Sequence, residues 1–288
     1  MVPVRRRRGA SLLEVVVALP LLLLVAALAV QGFVTQLRVV TLQEARLANV
    51  RELEHAALAL AADLRPLAAW DLASWSDSAI VADVPVLTGY VCGTPAPHIV
   101  DVAFGEMGAA ARAVLIAEPR AGDALGWAGL DTAVVGRAPA ALDSARRRRT
   151  LGTATPSAAA CADSPIRGVG APWRLTLAVA SVTLPQVGTP VAVMRRTEWR
   201  SYRASDAAHY LGRREWNGVA WSTLQPVAGP LAATAHGGMV LRLLRADGAD
   251  ANAALGDARR IDLLLRARRG DASVDSLRVQ LALRGAGF

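Results

Sequence analysis

Arg5-Arg6-Arg7-Arg8-Gly9-Ala10-Ser11-Leu12-Leu13-Glu14 stands near the amino terminus, and an apolar run continues from it to Val30, altered in character only by Pro20. The stretch reads as a basic cluster, a small-residue junction and a helix of membrane length. As helix, Leu12 to Val30 spans about 28 Å, close to the hydrocarbon thickness of a bilayer. By the positive-inside rule the arginines would hold the amino terminus on the cytoplasmic side, with everything after the helix across the membrane. Glu14 is the informative residue. A charge near the bilayer centre costs roughly 2.5 kcal/mol or more, so a carboxylate kept there calls for a partner. A secretory signal peptide shares the basic start and apolar core, with Ala27-Leu28-Ala29 as its cleavage site. Against that reading, Glu14 sits where such a core is purely apolar, and the run is long. A plain single-pass anchor fits the length but gives Glu14 no purpose.

The Gly9-Ala10-Ser11-Leu12-Leu13-Glu14 string behind its basic leader resembles the processing site of type IV prepilins and type II secretion pseudoprepilins. The resemblance implies cleavage between Gly9 and Ala10 by a membrane-embedded aspartyl prepilin peptidase, with methylation of the new amine on Ala10. It places Glu14 at the family's acidic position, where it pairs with the amine of a neighbouring subunit. In lipid that attraction is weakly screened, and it sets the axial register of assembly. Ala10 departs from the family's usual phenylalanine. The implied partners are other minor and major pilins or pseudopilins through their amino-terminal helices, the inner-membrane assembly platform and membrane lipid.

Charge adds little once the leader is set aside. Removing nine residues from 288 leaves 279, enough for one sizeable domain. The chain has no lysine, so all 32 basic residues are arginine, and the formal charge of +8 falls to +4 without the four leader arginines. The basic balance therefore overstates the case for a nucleic-acid partner.

Beyond Gln31 the chain turns amphipathic without losing helical character. Val50, Leu53, Ala57, Leu60 and Leu64 recur with a 3-4 stride among Gln43, Glu44, Arg46, Glu52 and Glu54. This predicts a helix over Ala10–Leu64, ended by Arg65-Pro66, with Pro20 and Gly32 as places for bending. Residues 10–31 would form its transmembrane or filament-core half and 32–65 its amphipathic half.

Residues 66–288 read as a β-rich periplasmic head. Period-2 alternation marks Trp173–Val179, Ile261–Ala267 and Leu277–Leu283 as half-buried strands of an antiparallel sheet. Shorter candidates are Ile80–Leu87, Ile99–Ala103, Ala113–Glu118, Val191–Arg203, His209–Trp216, Val219–Leu224 and Met239–Arg245. The spacers Trp216-Asn217-Gly218 and Ala246-Asp247-Gly248 carry turn chemistry. The expected fold class is α+β: one long helix packed on a predominantly antiparallel sheet, the pilin architecture. Thr197–Tyr202 with Tyr210–Arg214, and Leu243–Gly248 with Arg260–Leu265, resemble the strand pairs of J-type minor pseudopilins and W-type minor pilins. That implies a minor subunit with a large head.

About 136–171 reads as a flexible excursion, with Arg146 to Arg149 ahead of an Ala/Ser/Thr/Pro-rich stretch. Four arginines there mean either an anionic partner or a solvated, self-repelling loop. Cys161 lies in the excursion and Cys92 near an earlier strand. Two cysteines in an exported domain most often pair, and this bridge would close a loop worth about 4 kcal/mol on the chain-entropy model. The search for chemistry finds little. His55, His98, His209 and His236 are scattered, and no nucleophile, phosphate-binding or dinucleotide fingerprint is present. No catalytic residue and no cofactor are expected. Asp247, Asp250, Asn252 and Asp257 form a weak calcium candidate that lacks EF-hand order. Between Arg195 and Trp221, six arginines (Arg195, Arg196, Arg200, Arg203, Arg213, Arg214) interleave with Trp199, Tyr202, Tyr210, Trp216 and Trp221. That composition suits a nucleic-acid surface; the other reading is a strand pair with rings inward and arginines in solvent.

The expected function is structural: a minor pilin or pseudopilin that primes assembly, at the tip, of a type IV pilus or a type II secretion pseudopilus. The alternative is a single-pass membrane-anchored or secreted β-rich binding protein for nucleic acid or carbohydrate.

Overall fold

The computed structural model describes residues 12–105, 118–128, 146–166, 168, 171–179, 184–251, 255–267 and 274–284. The expected helix is α1, Leu12–Leu64, one unbroken element of 53 residues that runs through both Pro20 and Gly32. At 1.5 Å per residue it is about 80 Å long. It ends where Pro66 makes continuation costly, with the Arg65 N–H donating to the Ala61 carbonyl as the last full turn. The first half of α1 stands clear of the rest of the protein. The second half buries Leu53, Ala56, Ala57, Leu60, Ala61 and Leu64. Val50, expected in this stripe, is 42% exposed, and Asn49 is buried in its place. Asn49 lies four residues before Leu53 and donates to Asp275 at 2.8 Å, so the hydrogen bond, not hydrophobicity, decides which residue turns inward.

Twelve antiparallel strands form the head among the described residues. They are β1 (Leu72–Ser76), β2 (Ala79–Ala96), β3 (Ile99–Phe104), β4 (Ala124–Ala128), β5 (Arg146–Pro156) and β6 (Trp173–Leu177). Then follow β7 (Pro190–Arg203), β8 (His209–Glu215), β9 (Gln225–Leu231), β10 (Met239–Leu244), β11 (Arg260–Ala267) and β12 (Asp275–Ala282). They divide into two units that share two long strands. In the first, β1, the start of β2, the end of β7, β8, β9, β11, β10 and β12 form a sheet whose inner face covers the second half of α1. In the second, β2 pairs β3, β3 pairs β6, β6 pairs β5, β5 pairs β4, β4 pairs β7, and β7 returns to β2. That ring is closed: a six-stranded barrel. Closure removes the free edges that open sheets must protect.

A bulge in β2 makes the sharing possible. Pairing with β7 shifts between Pro85 and Leu87, leaving Val86 extra. Before it, Ile80, Ala82 and Val84 face α1; after it, Leu87 and Val91 face the barrel interior. One inserted residue flips the side-chain parity and carries the strand from one core into the other. The barrel is filled by Val100, Val102, Leu125, Leu151, Leu175 and Val193, all at or near zero exposure, with Trp127 beside them.

Two expectations are corrected. The stretch 136–171 is not one loop, because Arg146–Pro156 is a full barrel strand paired on both sides. Its arginine-rich start hides the pattern. Val219–Leu224 is not a strand; Trp216 and Trp221 bridge instead, making a short hairpin tip, and the next strand begins at Gln225. The candidate strand Ala113–Glu118 lies almost wholly outside the described residues.

Candidate functional site: an apolar helix locked to a charged head

From Val16 to Leu42 the apolar side chains of α1 are exposed, Leu22 at 70% and Phe33 at 62% among them. The helix is long and apolar enough to cross a membrane. Beyond the membrane-length run two hydroxyls bond back along the helix: the Thr35 hydroxyl donates to the Gln31 carbonyl and the Thr41 hydroxyl to the Arg38 carbonyl, each at 2.9 Å. Glu14 belongs to the first turn of this helix. Its side chain, and the junction Gly9 and Ala10, lie outside the described residues.

The other end of α1 is fixed by charge as well as by packing. Asp63 accepts from the Trp199 indole N–H and from Arg213 Nε, both at 2.9 Å. Arg213 Nη1 donates to Glu215 at 2.6 Å, and Arg195 Nη1 to the other oxygen of Glu215 at 3.4 Å. Arg195 then grips Asp123 through two bonds, at 2.9 and 2.8 Å, and donates to the Glu118 carbonyl at 2.8 Å. The chain of contacts therefore runs from the helix, across β7 and β8, to the loop that starts β4. Arg195 and Asp123 are both 2% exposed. Arg195 lies on β7 between Val193 in the barrel and Trp199 under the helix, at the junction of the two cores.

Electrostatics agree with the geometry. Burial alone would raise the Glu215 carboxyl, but the Arg213 guanidinium, with Arg195 and Arg120 nearby, holds it below the usual carboxylate range. Burial would lower Arg213 and Arg195, yet Asp63 raises the first and Asp123 the second. On β11 and β12 the Asp262 carboxyl is held low by its hydrogen bond to Arg278.

The reading of rings inward and arginines in solvent holds only in part. Trp199 does turn inward, but Arg195 is buried, and the neighbouring arginines are engaged. Arg196 binds Asp83, Arg200 and Arg214 bind Glu198, and Arg213 binds Asp63. Trp216 and Trp221 meet edge to face at 5.5 Å on the hairpin tip, with Arg214 over Trp221 at 4.9 Å. Of the four arginines at 146–149, Arg148 is committed to Asp71 at 2.8 Å and to Asp83, while Arg149 is exposed. A solvated, self-repelling loop is therefore not what Arg148 belongs to. The side chains of Arg146 and Arg147 lie outside the described residues.

Cys92 and Cys161 form a disulfide, as expected, closing a separation of 69 residues. It ties the turn after β5 to β2, beside Ala103 and Ile166. Among the described residues no His, Cys, Asp or Glu side chains gather in a group that could hold a metal ion. In the acidic loop, Asp247 instead accepts from the Ala249 N–H at 2.9 Å. Asp250 and Asp257 join no such group, and Asn252 lies outside the described residues. His55, His98, His209 and His236 remain apart from any such cluster. The Asp63–Arg213–Glu215–Arg195–Asp123 chain has no sequence signature, because its members come from four separate segments. The one hint is Arg195, a charge on the apolar face of an alternating strand.

No protein-family model, curated protein or solved structure matches the chain.

Proposed function

We propose that the chain is a minor pilin or pseudopilin. It is made with a basic leader, cut between Gly9 and Ala10, and held in the inner membrane by the first half of α1 until it joins a type IV pilus or a type II secretion pseudopilus. The observation that carries this reading is the continuity of α1. One unbroken helix bears Glu14 in its first turn, an exposed apolar length in its middle and a head sealed onto its last third. A plain anchor needs no rigid connection between membrane and head; a subunit that stacks through its helix does. In this account Glu14 receives the methylated amine of an adjacent subunit, and helix-to-helix contact with other minor subunits primes assembly. The barrel makes the head bulky, which suits a tip position better than a repeated shaft position.

Glu14→Val tests this reading. The expected variant is inserted, trimmed and methylated, yet its incorporation into filaments falls at least about tenfold, because the incoming amine meets no charge in lipid. Incorporation equal to the parent would sink the proposal.

A further inference from the structure

Lipid accounts for the exposed apolar side chains of α1 only as far as a bilayer reaches. Leu12 to Val30 already matches the hydrocarbon thickness, and at 1.5 Å per residue Leu47 and Leu58 lie about 25 and 42 Å beyond Val30. Leu47 is nonetheless 57% exposed and Leu58 65%. These side chains are aligned. At about 100° per residue, Leu58 points some 160° away from the buried Leu60, and Phe33, Leu37, Val40 and Leu47 fall within about 60° of Leu58. All five are exposed, so one apolar stripe runs up the side of α1 turned away from the head. Its spacings are threes, fours and their sums, which suit a second helix. Large apolar surface held outside both lipid and the protein's own core marks an interaction site.

Charges on the stripe select which helix it takes. Glu44, Arg51 and Glu54 fill the remaining positions of the same pattern, and all three are exposed. Among the described residues none of them has a side-chain hydrogen bond or ion pair. A helix rooted in the same membrane and leaving it on the same side runs parallel to α1, so residues at equal height meet. In a second copy at equal height, Glu44, Arg51 and Glu54 would each face their own like, and like charges side by side destabilise a helix pair. A copy displaced by one heptad would match Glu44 with Arg51, but it would set Glu54 against Leu47 and Arg51 against Leu58. Only a different sequence satisfies the whole stripe. We infer that it binds the membrane-anchored helix of another polypeptide, parallel to α1, and rejects a second copy of this chain. That helix is apolar opposite the five apolar positions, basic level with Glu44 and Glu54, and acidic level with Arg51. The inference deepens the proposed function and rests on it only for the partner's being a parallel membrane helix.

The test makes the chain its own partner. A triple variant, Glu44→Arg with Arg51→Glu and Glu54→Arg, carries the complementary charges and removes no bond of the head. Full-length parent and variant each take a dye on Arg38→Cys, which lies off the stripe. They are reconstituted at low density into phosphatidylcholine vesicles, and association is followed by Förster transfer. Parent and variant should associate at least about tenfold more tightly than parent with parent. Leu47→Asn with Leu58→Asn in both chains should abolish that transfer while circular dichroism stays unchanged. Parent pairing with parent as tightly as with the variant would overturn the inference. So would a mixture that shows no transfer, or transfer that the paired asparagine changes leave untouched. Methylation of Ala10 is read separately, so a chain that keeps its leader breaks the proposed function without altering this result.

Discussion

The helix-packed sheet and the barrel are built from the same chemistry but close in different ways. The sheet needs a foreign element: its core is complete only when Leu53, Leu60 and Leu64 of α1 enter it, beside Leu241, Leu263 and Leu265. The barrel closes on itself, every strand paired on both sides, and carries the disulfide at one end. It arises from the chain between the β2 bulge and the start of β7, inserted between two strands that pair directly under the helix. The lesson is a division of labour. The sheet holds the helix; the barrel is carried by the sheet and bears no helix contact in its core.

Asp123→Ala should produce the largest effect, because it strands the buried Arg195 where the two units meet. A loss of about 3–5 kcal/mol is expected, with both units unfolding together in a denaturant titration. Two separate transitions with an unchanged first midpoint would show that the junction is not shared.

Leu60→Ala should separate the units. Leu60 is fully buried beneath the sheet, so its truncation costs about 2–5 kcal/mol. Amide exchange should quicken in β9, β11 and β12 while β3, β5 and β6 keep their protection. Equal loss of protection in the barrel would contradict the division.

A smaller effect is expected from pH. Glu215 is held below its ordinary value in the folded state, so the stability it lends is present above the unfolded value and lost as pH falls through the folded one. Below about pH 4.5 the Tm of the parent should fall more steeply than that of Glu215→Gln. Parallel curves would mean that Glu215 is not coupled to Arg213 and Arg195.

The two units also differ in how legible they are from sequence. The helix and the strands against it announce themselves, since α1 shows its stride and β11 and β12 alternate with one face buried. The barrel hides. β5 opens with four arginines, β4 is five residues long and contains Gly126, and the bulge at Val86 breaks the parity of β2. β9 is hidden for another reason: Pro226 and Pro230 argue against a strand, yet it pairs β8 irregularly and touches β11 at a single position. The disulfide was readable from compartment chemistry. The junction pair was not, because Asp123 and Arg195 are brought together only by barrel closure.

Sequencing the mature amino terminus by mass spectrometry tests the central claim most directly. The account predicts a protein that begins with N-methylated Ala10. A chain that keeps its arginine leader, or one that begins at Gln31, would contradict it.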